Sequence, residues 1–260
     1  LTASKADERR FGGINRLADA AALDCLSQSS VCVAGIGGVG SWAAEALART
    51  GVGHLLLIDL DHIALSNVNR QIHAVDATLG KAKVIAMQER IASYAPDCTV
   101  RVIDEFASAE NLPLLLDGSG FPGGRLGALL DCCDQTTAKI AMARYAVSHK
   151  LPFIMAGSAG GKWQAERLQL TDLAASTQDP LLSKIRYQLR RQYGFERNPA
   201  RKMRVACVWS DEPVKRGTDC DPSAGLSCAG YGSLVTTTAS MGMMMAGWAI
   251  RQLLAARKAP

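Results

Sequence analysis

Val31-Cys32-Val33-Ala34-Gly35-Ile36-Gly37-Gly38-Val39-Gly40-Ser41-Trp42 decides the fold: four apolar residues, a glycine-rich turn, then the start of a helical run. An apolar run bounded in this way reads as a buried strand. Gly35, Gly37 and Gly40 fall at the spacing of a nucleotide turn, which closes tightly, admits a phosphate chain against backbone and packs helix on strand. The bare N–H groups of the helix start then face the anion. Gly38 lies inside the same turn. A second apolar run, Leu55-Leu56-Leu57-Ile58, ends in Asp59, about 20 residues past the last glycine, where such folds bind a ribose hydroxyl. A nicotinamide dehydrogenase has the same features, so they place a nucleotide without naming it.

With 260 residues, 48% of them hydrophobic and 20% charged, the chain can bury a substantial core as one large domain or two small ones. Its net charge of +5 admits an anionic partner such as ATP or RNA without requiring one. The eight cysteines, Cys25, Cys32, Cys98, Cys132, Cys133, Cys207, Cys220 and Cys228, include several within apolar runs, and the sequence opens on no secretory signal. They read as reduced thiols of a cytoplasmic protein. No Cys-x-x-Cys pair occurs, which leaves structural zinc without ligands at the usual spacing.

Residues 1–30 read as a charged arm followed by an alanine-rich helical run over 18–26. Residues 31–161 alternate strand and helix, with helices over 41–50, 81–94, 111–116 and 136–150 and strands over 55–59, 99–103, 126–132 and 152–155. The glycine-rich stretch 117–127 follows no strand and is expected to be a disordered surface loop. In the remainder, 162–260, strands are expected over 164–171 and 204–209. Asp179-Pro180 reads as an N-cap and first-turn proline opening a helix with Leu181, Ile185 and Leu189 on one face, closed by Gly194. A long polar connection, 211–232, precedes a closing helix over 233–256. The fold class is therefore α/β: a Rossmann-like nucleotide-binding sheet with an irregular C-terminal α+β extension. Residues 229–250 carry no charge and are long enough to span a bilayer, but their glycines, serines, threonines and methionines suit a helix buried in a core or a dimer seam instead.

The chemistry concentrates between the second strand and the next helix, in Asp59-Leu60-Asp61 and Ser66-Asn67-Val68-Asn69-Arg70-Gln71, followed by Lys83. A triphosphate attacked at its α-phosphate needs cations over the leaving phosphates, and Arg70 and Lys83 can supply them beside Asn67. Asp131-Cys132-Cys133-Asp134 follows another apolar run, which puts Asp134 on the ligand-binding edge of a parallel sheet as a carboxylate for Mg²⁺, with Asp131 assigned to structure. Lys184, Arg186, Arg190, Arg191, Arg197, Arg201, Lys202 and Arg204 are opposed by a single acid, Glu196, and form a basic face suited to tRNA. Nothing points to DNA.

Gly35-x-Gly37-Gly38-x-Gly40, Asp59, Ser66-Asn67-x-x-Arg70-Gln71, Lys83 and Asp131-x-x-Asp134 resemble the ubiquitin-activating-enzyme-like superfamily, whose bacterial members adenylate carboxylates. The resemblance implies that Asp59, with Asp61 beside it, holds ribose, that Asn67, Arg70 and Lys83 hold phosphates, and that Asp134 organises Mg²⁺. It also implies a homodimer in which an arginine of the N-terminal arm, Arg10 or Arg16, reaches a neighbouring subunit's site. Arg10-Phe11-Gly12-Gly13, Asn69-Arg70-Gln71-Ile72-His73, Gly157-x-Ala159-Gly160-Gly161, Gln178-Asp179-Pro180-Leu181 and Cys228-Ala229-Gly230 are similar to one branch, the tRNA threonylcarbamoyladenosine dehydratases. That branch implies ATP-dependent cyclisation of the threonylcarbamoyl group on a tRNA adenosine: the carboxylate becomes an acyl-adenylate and an oxygen of the ureido group displaces AMP. Such an intramolecular step draws roughly 7 kcal/mol or more from proximity.

Three rivals stay open at this level: a dehydrogenase, a non-catalytic adaptor on a nucleotide fold, and an adenylating enzyme for a ubiquitin-like sulfur carrier. The last would have a sulfur-transfer protein partner and use Cys228 as an acceptor thiol. The cations Arg70 and Lys83 favour ATP over NAD, and titration with both nucleotides checks this. ATP should bind at micromolar levels and NAD should not; the reverse result would remove the adenylation reading.

Overall fold

The computed structural model describes residues 5–214 and 231–257. Three short helices open the chain, α1 (Lys5–Phe11), α2 (Gly13–Leu17) and α3 (Ala22–Ser27). The helical run expected over 18–26 is confined to α3, because Asp19 and Asn15 divert the backbone: Asp19 Oδ1 accepts the Ala21 N–H at 3.1 Å and Asn15 Oδ1 the Leu23 N–H at 2.8 Å. Such side-chain acceptors compete with helical hydrogen bonds and set a new start.

Strand and helix then alternate through β1 (Ser30–Ala34), α4 (Gly40–Arg49), β2 (His54–Ile58), α5 (Lys83–Ala92), β3 (Thr99–Ile103), α6 (Leu112–Leu115), β4 (Ala128–Asp131), α7 (Thr136–Ser148) and β5 (Phe153–Ala156). The C-terminal part supplies β6 (Leu168–Asp172), α8 (Pro180–Gln192), β7 (Ala206–Ser210) and α9 (Val235–Ala256). All seven strands form one sheet in the order β3-β2-β1-β4-β5-β7-β6, parallel except for the antiparallel edge strand β6. The expected strand over 164–171 shortens at its start because Ala165–Arg167 forms a 3₁₀ turn.

Both faces of the sheet are covered, which is why its central strands read as unbroken apolar runs. In β1, Val31 and Val33 pack with α4, α5 and α9 on one face, while Cys32 and Ala34 pack with α6, α7 and α8 on the other. Leu55 and Leu57 of β2 join the first layer, Leu56 and Ile58 the second. The register Val31↔Leu55 and Val31↔Ala128 brings the C-terminal ends of β1, β2 and β4 to one edge.

Residues 117–127 correct the expectation of disorder. They fold into two 3₁₀ turns, Gly118–Gly120 and Pro122–Gly124, and Phe121 and Leu126 are buried in the second layer. Two apolar anchors outweigh the entropy of the glycines between them. Helix α9 takes the core alternative of the two expected for it: Thr237, Met241, Gly242, Met245, Ala246 and Ala249 are buried in this chain's own fold, against α4 and the sheet. Among the described residues no helix is long and apolar enough to cross a membrane. Cys220 and Cys228 lie outside the described residues. Cys25, Cys32, Cys98, Cys132, Cys133 and Cys207 are free thiols.

Candidate active site

A cavity of about 350 Å³ opens at the C-terminal edge of the sheet. Its floor is the glycine turn. Residue 40 must be glycine, since a Cβ there would stand 1.8 Å from the Gly35 carbonyl oxygen. Gly35, Gly37 and Gly38 line the cavity, whereas Gly40 lies behind it and serves the packing of α4 on β1.

Asp59 leaves the end of β2 and braces the turn from the side: its Oδ2 accepts the Ile36 N–H at 2.5 Å and its Oδ1 the Asp61 N–H at 2.8 Å. Burial pushes the Asp59 carboxyl upward, against the nearby Lys83 ammonium and the two N–H donors. His73, 2% exposed, braces the turn from below through Nε2 at 3.0 Å from the Ile36 carbonyl oxygen. A carbonyl only accepts, so Nε2 carries the proton and Nδ1 is left bare.

Lys83, at the start of α5, is nearly buried and reaches over the same wall, 2.6 Å from Asp61 Oδ2 and 4.0 Å from Asp59 Oδ1. Arg70 is held by its own turn, Nη1 donating to the Ser66 carbonyl at 2.7 Å and to Asn69 Oδ1 at 2.9 Å. Asp61, Arg70, Lys83 and Asp134 all line the cavity with Asp59. Asp131 lies beneath. It is fully buried in an ion pair with Lys139, at 3.1 Å, and accepts the Cys133 N–H at 3.1 Å, so it shapes the loop that carries Asp134. Desolvation pushes the thiols of Cys132 and Cys133, which are half-buried and line the cavity, upward.

Several expected residues stand elsewhere. Asn67 does not line the cavity; it is buried, and its Oδ1 closes the turn by accepting the Ala64 N–H at 3.1 Å. Arg10 and Arg16 are exposed and do not line this cavity, Arg10 standing 4.0 Å from Asp97. On α8, Lys184 and Arg191 are exposed as expected. Arg186 turns inward instead, donating to the Leu173 and Ser176 carbonyls and to Ser176 Oγ, because the helix packs against that turn. Arg190 donates to the Glu196 carbonyl at 3.0 Å through Nε, while its Nη2 has no partner among the described residues. Ser183, Arg186, Tyr187, Arg190, Arg191 and Arg197 together line a second, basic hollow.

The cavity also uses residues to which the sequence had assigned no role in the site. Glu105, Phe106 and Ala107 follow β3, Gly157, Ser158 and Ala159 follow β5, and Gln71, Leu181, Ser233 and Thr238 complete the walls. The rule that ligands bind beyond the carboxyl ends of parallel strands reaches the first two groups; the last four are brought in by packing alone.

A model of the ThiF family matches residues 13–260. The chain belongs to the ThiF family. It is 40% identical over 251 residues to a tRNA threonylcarbamoyladenosine dehydratase of Haemophilus influenzae, covering 95% of this chain and 94% of the relative. It superposes with a TM-score of 0.86, at 37% identity and over 100% of both chains, on the crystal structure of the Escherichia coli tRNA N6-threonylcarbamoyladenosine dehydratase in complex with ATP. The likeness to a molybdopterin-synthase adenylyltransferase of Salmonella typhimurium, 30% over 131 residues, spans half of each chain.

In this ThiF-family site the brace at Ile36 has a measurable pH dependence. Burial pushes His73 down from 6.5 to about 4. Between those values the unfolded chain binds a proton that the folded chain refuses. Stability is therefore full above pH 6.5 and falls toward pH 4, by on the order of 3 kcal/mol. Urea unfolding at pH 7 and 4.5 should show this loss, and His73→Gln should remove most of it.

Proposed function

We propose that this chain catalyses the ATP-dependent dehydration of N6-threonylcarbamoyladenosine in tRNA. The observation that carries the reading is likeness along the whole chain, in sequence and in fold, to dehydratases of that name. The sulfur-carrier alternative rests on half the chain. A free carboxylate is a poor electrophile. Its oxygen attacks the α-phosphorus of ATP as the bond to pyrophosphate breaks; the ureido group then closes on the acyl carbon and expels AMP, so one carboxylate oxygen leaves with the nucleotide. Asp59 takes the ribose, the glycine turn the phosphate chain, and Arg70 and Lys83 the leaving phosphates.

Mg²⁺ fits Asp134. Among the described residues no three His, Cys, Asp or Glu side chains converge on a metal, and an exposed carboxylate facing the cavity suits an ion otherwise held by phosphates and water. Bound there, Mg²⁺ would offset the charge gathering on pyrophosphate. Asp134→Asn should lower turnover by about 100-fold while ATP affinity changes by less than about threefold, since charge moves mainly in the transition state. The assay is incubation with ATP and modified tRNA, with mass analysis of the nucleosides. Absence of a product lighter by one water in the wild type would overturn the reading.

A cytoplasmic homodimer is the proposed form, with Arg10 or Arg16 reaching a neighbouring site. What supports a second copy is the loop after β2, where Leu65, Val68 and Val75 are 70%, 48% and 51% exposed beside the cavity. The basic hollow of α8 is the proposed tRNA contact, and phosphate contacts there release counterions. Replacing Arg190 and Arg191 by alanine should weaken tRNA binding and flatten its dependence on log salt by about one or two units of slope, with ATP binding unaltered. An unchanged slope would move the RNA contact elsewhere.

A further inference from the structure

The cavity wall that follows β5 is elaborately fixed. Asp179, 4% exposed, divides its carboxylate: Oδ1 accepts the Leu182 N–H at 3.0 Å and caps α8, while Oδ2 accepts the Ser158 N–H at 2.8 Å. Gly157 permits that approach, because a Cβ there would stand 2.3 Å from Asp179 Oδ2. Behind the turn, buried Lys162 donates to the carbonyls of Gln178, Ser210 and Glu212. Gly157 and Gly161 donate to the carbonyls of Val208 and Gly232, at 2.7 and 3.0 Å. Of the three residues between them, Ser158 and Ala159 line the cavity, whereas Gly160 packs against Tyr231 and Gly232; the N–H of buried Ala159 makes no hydrogen bond among the described residues. An N–H with no partner among the described residues, on a cavity wall beside a hydroxyl, suits an anion.

We propose that the turn 157–159 seats the carboxylate that is activated, with the Ala159 N–H and the Ser158 hydroxyl as donors and Asp179 as the residue that positions them. The inference rests on the dehydration reading. The cations lining the cavity, Arg70 and Lys83, both come from the segment after β2, so the anion is held here by neutral donors and keeps its nucleophilicity. Asp59 at β2 and this turn at β5 lie on opposite sides of the glycine turn in the strand order. The cations for the leaving phosphates, Arg70 and Lys83, thus stand on the β2 side and the acceptor on the β5 side, the arrangement in which attacking and leaving oxygens can lie in line across the α-phosphorus.

The test measures binding in the presence of α,β-methylene-ATP, with tRNA carrying N6-threonylcarbamoyladenosine and with the same tRNA after conversion of that carboxyl to a methylamide. The wild type should prefer the carboxylate by about tenfold, the scale of hydrogen bonds to a charged group. Ser158→Ala should reduce the preference to about threefold. Asp179→Asn keeps one acceptor oxygen for the helix cap and presents an N–H donor to the Ser158 N–H, so it should abolish the preference while affinity for the ATP analogue, the check that the variant is folded, is retained. A wild type without preference, or an Asp179→Asn variant that keeps it, overturns the proposal. Turnover with ATP separates the two readings: a wild type that forms no cyclised nucleoside removes both, whereas cyclisation with an undiminished preference in the variants removes only the carboxylate seat.

Discussion

Between residues 35 and 40 there is no room for a methyl group, and the architecture follows from that contact. The 1.8 Å that would separate a Cβ at residue 40 from the Gly35 oxygen means that α4 starts directly on the end of β1. A chain forced that tightly cannot satisfy the exposed N–H groups of the turn by itself, and it leaves them for a ligand. Ile36, inside the turn, is consequently held by groups from two other segments, the Asp59 carboxylate at its N–H and the His73 imidazole at its carbonyl. The phosphate cradle is rigid because two titratable side chains brace the peptide units on either side of one residue.

The same economy of position governs the two carboxylates after β4. Asp131 and Asp134 are three residues apart, yet one is sealed against Lys139 and the other faces the cavity. A buried ion pair adds little net stability over an apolar pair of the same shape, but breaking it leaves a charge without solvent. Its use here is geometric: through the Cys133 N–H, Asp131 fixes the backbone from which Asp134 projects. Cys132 and Cys133, between them, are half-buried on the cavity wall, where desolvation pushes both thiols upward.

Much of this was legible in the sequence where one physical requirement acts on neighbouring residues. The glycine spacing, the acid ending β2 and the Asp179-Pro180 helix start each state a local rule, and β3 was placed over 99–103 as the structure has it. Asn67 was misplaced because its polar side chain satisfies its own turn rather than a ligand. Arg186 was misplaced because helical periodicity gives the face of a residue, not the direction of a long side chain that finds carbonyls on the neighbouring turn. Phe121 and Leu126, separated by glycines, showed no period that would reveal them as anchors. The Gly157-x-Ala159 and Asp179-Pro180 motifs were both visible, but their pairing was not, because they lie on different elements and no local pattern records it.

Helix α8 begins at the cavity, where Leu181 is part of the wall, and ends among arginines. Thirteen residues at the helical rise give about 20 Å between those ends. On the RNA reading, this helix works as a ruler. A phosphate seated at the arginines fixes how far a modified base must extend to place its carboxylate beside the nucleotide, and a base stacked within a regular duplex cannot extend that far. Discrimination by reach needs no contact with base edges, so the enzyme would select the exposed position of a nucleotide in a loop and leave the identity of its neighbours unread.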